Sequence, residues 1–137
     1  MLVVLLLSER IRDDGTLAKS WARGLGDRIQ VVDDDGAHGE LSLTALDRVM
    51  VRYGRALEPD IALDGDHLEL DGGYRLYRLR YHAIVDAEGR DYLVWQRPNE
   101  EPLAVVASMA TAALRYLVLR LAEERTGRTE RDREPSS

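Results

Sequence analysis

The sequence predicts an α+β (mixed α/β) domain on a single mixed sheet: a β-α-β-α opening, then an antiparallel β-meander, then a long C-terminal helix. Three observations carry this. Residues 2–7, LVVLLL, form an unbroken Val/Leu run, the pattern of a strand buried on both faces. Between 58 and 98 the apolar period changes from helical to two, punctuated by Gly-containing turns. Residues 103–122, LAVVASMATAALRYLVLRLA, are apolar on nearly every side, as in a helix covered from more than one direction.

Taken in order, the 2–7 strand is ended by Ser8, Glu9 and Arg10, and Asp13-Asp14-Gly15 reads as a turn. Residues 16–25 place Leu17, Ala18, Trp21, Ala22 and Leu25 at helical spacing. Residues 28–32 alternate as a second strand, so strand, helix and strand read as a right-handed parallel βαβ unit. The polar run DDDGAHGE at 33–40 is a loop. A helix over 42–57 follows, with Leu43, Leu46, Met50, Tyr53 and Leu57 inward, a Thr44-x-x-Asp47 capping box, and Arg48, Arg52 and Arg55 on the other side.

His67 to Leu70 alternates as a strand, Asp71-Gly72-Gly73 turns, and 74–86 runs into a second hairpin at Ala87-Glu88-Gly89. A three-residue loop there sets Asp86 opposite Arg90 and Tyr81 opposite Trp95. In that register Tyr77, Leu79, Tyr81, Ala83, Val85, Leu93 and Trp95 face the core. Arg78, Arg80, His82, Ile84, Tyr92, Val94 and Gln96 face away. The last helix is expected over 99–127, capped by Asn99 and stopped near Gly127. Residues 1–126 form one domain, and 127–137 a disordered charged tail.

Composition bounds the chemistry. With 137 residues and no cysteine, disulfides, thiolate metal sites and Cys nucleophiles are excluded. MLVVLLL lacks a basic flank and a small-residue cleavage site, so it reads as a strand of a cytoplasmic protein and not as a signal peptide. Arg115 interrupts the apolar run at 103–122 too early for a membrane span. The net charge of −6 disfavours indiscriminate binding to nucleic acid or anionic membrane. The charge is uneven, however. Residues 26–73 carry 12 acids and 4 Arg (net −8), whereas 74–98 carry 3 acids and 5 Arg (net +2).

Two candidate sites follow. Parallel first strands bring Glu9 and Asp33, Asp34 and Asp35 to one sheet edge. Carboxylates grouped there suit Mg²⁺ and phosphoryl-transfer or nuclease-like chemistry, although consecutive Asp residues before a Gly also make ordinary turns. The second candidate is the strand face of Arg78, Arg80 and His82 with Tyr92 and Gln96, a surface for nucleic acid or an anionic ligand. His38, His67 and His82 show no metal-ligand spacing, and no Gly-rich phosphate loop or nucleophile motif is present.

The leading expectation is a non-enzymatic protein without a cofactor that acts by association. The predicted final helix outreaches a small domain. Tyr116, Leu117, Leu119 and Leu121 on it are therefore expected at a homodimer interface.

Overall fold

The computed structural model describes residues 4–81 and 89–133, with side chains described to residue 124. The chain is a mixed α/β protein. Its first sheet is a meander of β1 (Val4–Ile11), β2 (Leu17–Leu25), β3 (Arg28–Asp33) and β4 (Gly36–Ser42), lying side by side in sequence order. Helix α1 (Leu43–Tyr53) leads to the second sheet of β5 (Arg55–Ala56), β6 (His67–Leu70), β7 (Tyr74–Tyr81), β8 (Arg90–Gln96) and β9 (Leu103–Val106), in the order β5-β9-β8-β7-β6. Helix α2 (Ala107–Arg133) closes the fold. All the strand pairs are antiparallel, so two antiparallel sheets stand where one mixed sheet with a parallel βαβ unit was expected.

The cause lies in 16–25, which forms β2 and not a helix. Asp13-Asp14-Gly15 closes a β-hairpin: Arg12 N–H donates to the Thr16 carbonyl at 2.8 Å, and the Asp14 carboxylate accepts from the Thr16 N–H and hydroxyl. Over nine residues the helical and alternating periods both fit. The alternating one wins because Ala18, Ser20, Ala22 and Gly24 form a small-residue face, with Ser20 and Ala22 buried. Gly26, at φ 70°, supplies the positive-φ position of the two-residue turn into β3. Asp34-Asp35 are the two-residue loop between β3 and β4. The acidic run is thus a hairpin turn. β1 is buried on one face, through Leu5 and Leu7, while Val4 is exposed.

α1 is capped two residues before Thr44, the start of the expected capping box. Ser42 is the N-cap, accepting from the Ala45 N–H at 3.3 Å, which frees Asp47 for a tertiary role. Leu46 and Met50 are buried, and Gly54 ends the helix. The final helix begins at Ala107, not at Asn99. Residues 103–106 instead form β9, where Val105 and Val106 pair with Leu93 and Tyr92 of β8. β-Branched side chains fit that pleated position, and a sheet partner overrides helical spacing. Asn99 adopts a left-handed φ of 59° in the turn before it. The backbone of α2 continues past Gly127 to Arg133, and 134–137 lie outside the described residues.

One core joins both sheets and both helices. It includes Leu5, Leu7, Ile29, Leu41, Leu46, Met50, Leu76, Leu93, Trp95, Val105, Leu114 and Val118. From α2, Ala110, Leu114 and Val118 point into it. Gly39, at φ 136° on β4, leaves room for the Val118 side chain, which would come within 3.0 Å of a Cβ there. Asp47 ties α1 to the second sheet by accepting from Trp95 Nε1 at 2.8 Å and Arg97 Nε at 2.6 Å. No helix among the described residues is long and apolar enough to cross a membrane.

Candidate functional site

The register of β7 against β8 decides where the arginines go. Tyr81 pairs with Arg90, and Leu76 with Trp95, whereas the expected loop set Tyr81 against Trp95. The difference is an odd number of residues, so every side chain on β7 changes face relative to β8. Leu76, Arg78 and Arg80 therefore share a face with Trp95, Leu93 and Asp91. Tyr92 and Gln96 lie on the other, with Leu79 and Arg75. The expected set of Arg78, Arg80, Tyr92 and Gln96 is split between the two sides of the sheet. His82 and the Asp86–Arg90 pairing fall outside the described residues.

Arg78 is turned toward the first sheet. It donates to Asp91 at 2.8 Å and to the Leu6 carbonyl at 3.3 Å, and so ties β7 to β1. Arg80 is exposed and reaches Asp91 only at 3.9 Å. On the opposite face the Tyr92 ring lies 5.9 Å from Tyr81, and Gln96 accepts from the Tyr77 hydroxyl at 3.3 Å.

This inward turn brings Arg78, alone of the second candidate set, beside Glu9 of the first. Arg78 and Asp91 line a groove of about 500 Å³ with Ser8, Glu9 and Ser108. The same Ser8, Glu9 and Ser108 border an adjoining groove of about 480 Å³ that reaches Asp33, Asp35 and Arg115. Ser108 comes from the first turn of α2, laid across the inner face of the first sheet. Ser8, Ser20 and Asp33 form one cross-strand row beneath it. Ser20 is buried, and its hydroxyl has no partner.

The carboxylates are mainly held by the chain's own cations. Asp33 accepts from Arg115 at 3.3 Å and from the His38 ring, and its Oδ1 takes the Asp35 N–H at 2.8 Å. Burial opposes ionisation of Asp33, but these hydrogen bonds and the His38 and Arg115 charges outweigh it and lower its pKa below the ordinary carboxylate value. Asp34 faces Arg12 at 3.5 Å and accepts from the Lys19 N–H. Glu9 lies 4.0 Å from Lys19, one row from Asp33. Among the described residues no group of three His, Asp or Glu side chains is placed to hold a metal ion. Arg115 and His38 as the partners of Asp33 were missed in the sequence. A lone Arg in the apolar first half of the helix was the available signal, since a charge so placed needs a counter-charge.

The residues expected at an interface lie elsewhere, on the outer side of α2. Tyr116 is 65% exposed and Leu119 50%, while Leu117 and Leu121 are half-buried. Leu117 and Leu121 join Val49, Tyr53, Met109 and Tyr116 in lining a groove of about 600 Å³ between α1 and α2, with Arg48 and Arg52 at its border. Met109, 55% exposed, completes the stripe and was not among the expected residues.

Comparison with known family models, curated proteins and solved structures finds no match for this chain. Geometry and chemistry alone therefore support a function.

Proposed function

We propose that this protein acts by association, as a homodimer formed through the outer face of α2. The supporting observation is the stripe Met109, Tyr116 and Leu119, each at least half exposed on a helix whose opposite side is fully buried. Beside it the apolar groove toward α1 extends the uncovered surface. Contiguous exposed apolar surface of this kind marks a partner site, and a two-fold dimer is its commonest occupant. Arg115, the one charge between 107 and 119, is turned back to Asp33 and adds no repulsion to that face. Light scattering at micromolar concentration tests the proposal. A two-chain mass that Leu119→Glu reduces to one chain is the expected result. A wild-type mass of 15.5 kDa overturns it.

A second reading draws on the polar grooves. Arg10, Arg12 and Lys19 border one of them with the Ser8 and Ser108 side chains, a setting for a small anionic ligand. Among the described residues Arg10 has no ion-pair partner. A phosphoryl-transfer role with Mg²⁺ at Glu9, Asp33, Asp34 and Asp35 would draw on the same region, but it would need Glu9, Asp33 and Asp34 to exchange their present cations for the metal. Calorimetric titration with inorganic phosphate and with Mg²⁺, separately, distinguishes the two ligands. Absence of heat with both removes this second reading.

A further inference from the structure

The outer stripe of α2 is spaced as a helix-pairing seam. Met109, Ala112, Tyr116 and Leu119 follow one another at steps of three, four and three, the a/d pattern of a heptad. We infer that two copies of α2 pair antiparallel, in a register that sets Met109 against Leu119 of the partner subunit and Ala112 against Tyr116 of the partner subunit. The inference rests on the self-association proposed above and adds its direction and register.

Side-chain size is the first reason. Paired parallel and in register, the stripe sets Tyr116 on Tyr116 and Ala112 on Ala112, so a crowded layer follows an empty one. The antiparallel register matches the largest side chain of the stripe with the smallest, and Met with Leu. Layers that alternate large and small across the seam pack to the density of a protein interior. Ala112 is exposed and Ala113 half-buried, so two backbones can approach closely at that level, where the apolar groove toward α1 has room for the rest of the tyrosine ring.

Charge is the second reason. Arg120, Glu123 and Glu124 follow the stripe. A parallel pair places each beside its own copy, with like charges adjacent. The antiparallel pair moves them apart. It carries Glu123 and Glu124 of the partner subunit past the start of α2, toward β9. There β5 pairs Arg55 with Ala104, and Arg55 is exposed.

The absence of cysteine makes cross-linking a clean test. Met109→Cys and Leu119→Cys are made as separate single variants, at positions exposed enough to leave the core undisturbed, and folding is checked by circular dichroism. In the antiparallel register, position 109 lies about 15 Å along the helix from its own copy, at 1.5 Å per residue, but faces position 119. Neither variant alone should form a disulfide dimer under mild oxidation, whereas an equimolar mixture should. Self-cross-linking by either single variant would establish a parallel seam and overturn the register while leaving the dimer intact. No cross-link in the mixture, with a two-chain mass by light scattering, also overturns the register and moves the dimer to another face. A one-chain mass overturns the dimer itself.

Discussion

Arg115 of α2 reaches Asp33 at the end of β3 across 3.3 Å, joining the last helix to the acidic hairpin of the first sheet. His38, the extra residue where the β3–β4 register shifts, holds the same carboxylate. A turn that reads as solvent-exposed Asp residues is therefore one end of the helix–sheet contact.

Replacing Arg115 with Leu should destabilise the fold. Asp33 is only 14% exposed and would keep His38 as its remaining side-chain donor. Losing a hydrogen bond to a charged group costs about 1–3 kcal/mol, and the partial exposure of Arg115 argues for the lower half of that range. The urea midpoint reads this directly, and an unchanged midpoint would refute it. Asp34→Ala, on the exposed tip of the same turn, should shift stability by less than about 0.5 kcal/mol.

Acid should unfold the protein through two carboxylates. Burial penalises the charge of Asp47, but hydrogen bonds from Arg97 and Trp95, with the Arg97 charge, lower its pKa, as His38, Asp35 and Arg115 do for Asp33. Both folded-state values are depressed. Their contribution is thus fully present above the ordinary value of 3.8 and is lost as pH falls through the lower folded values. Thermal melts below pH 4 should show falling stability, with a shallower fall in Asp47→Asn. Equal slopes in the variant and the wild type would count against this.

Arg78 and Arg80 offer a comparison within one strand. Arg78→Ala removes the hydrogen bonds to Asp91 and the Leu6 carbonyl and should cost about 1–2 kcal/mol. Arg80, 70% exposed, should change stability by less than about 0.5 kcal/mol when made Ala. Hydrogen exchange at β1 amides should also quicken in Arg78→Ala alone. Similar behaviour of the two variants would contradict the placement of Arg78 between the sheets.

Gly39→Ala should strain the contact between β4 and α2. Its φ of 136° disfavours any side chain, and the new Cβ would stand 3.0 Å from the Val118 Cγ1. A loss of about 1–3 kcal/mol is expected in chemical denaturation. Gly36→Ala shares the positive φ but meets nothing within 4 Å, so it should cost less. The difference between the two isolates the packing part.

The strands β6, β7 and β8 were legible because the alternating period and the Asp71-Gly72-Gly73 turn agreed, although the register of β7 on β8 was not. α1 was legible from Leu46 and Met50. What could not be read was decided by neighbours distant in sequence. Ala18, Ser20 and Ala22 fit a helical stripe as well as a strand, and only the pairing of β2 with β1 and β3 decides between them. Val105 and Val106 join a sheet because β8 offers an edge. The faces of Arg78 and Arg80 depended on one register, and a shift by an odd number of residues inverted them. Nothing in the spacing of the sequence joins Glu9 to Arg78, and only the packed sheets bring them to the same groove.

The placement of α2 also bears on how the chain is made. β1 to β4 are neighbours in sequence joined by tight turns, so their hairpins can form within microseconds of leaving the ribosome. Yet part of the cover on the side of that meander carrying Leu5, Ile29 and Val31 comes from Ala110, Leu114 and Val118, which are synthesised some 70 residues after β4 ends, several seconds later at ordinary elongation rates. During that interval the nascent first sheet presents an apolar face to its surroundings. α1, which emerges next and packs against β4, is the first later element that can begin to cover it.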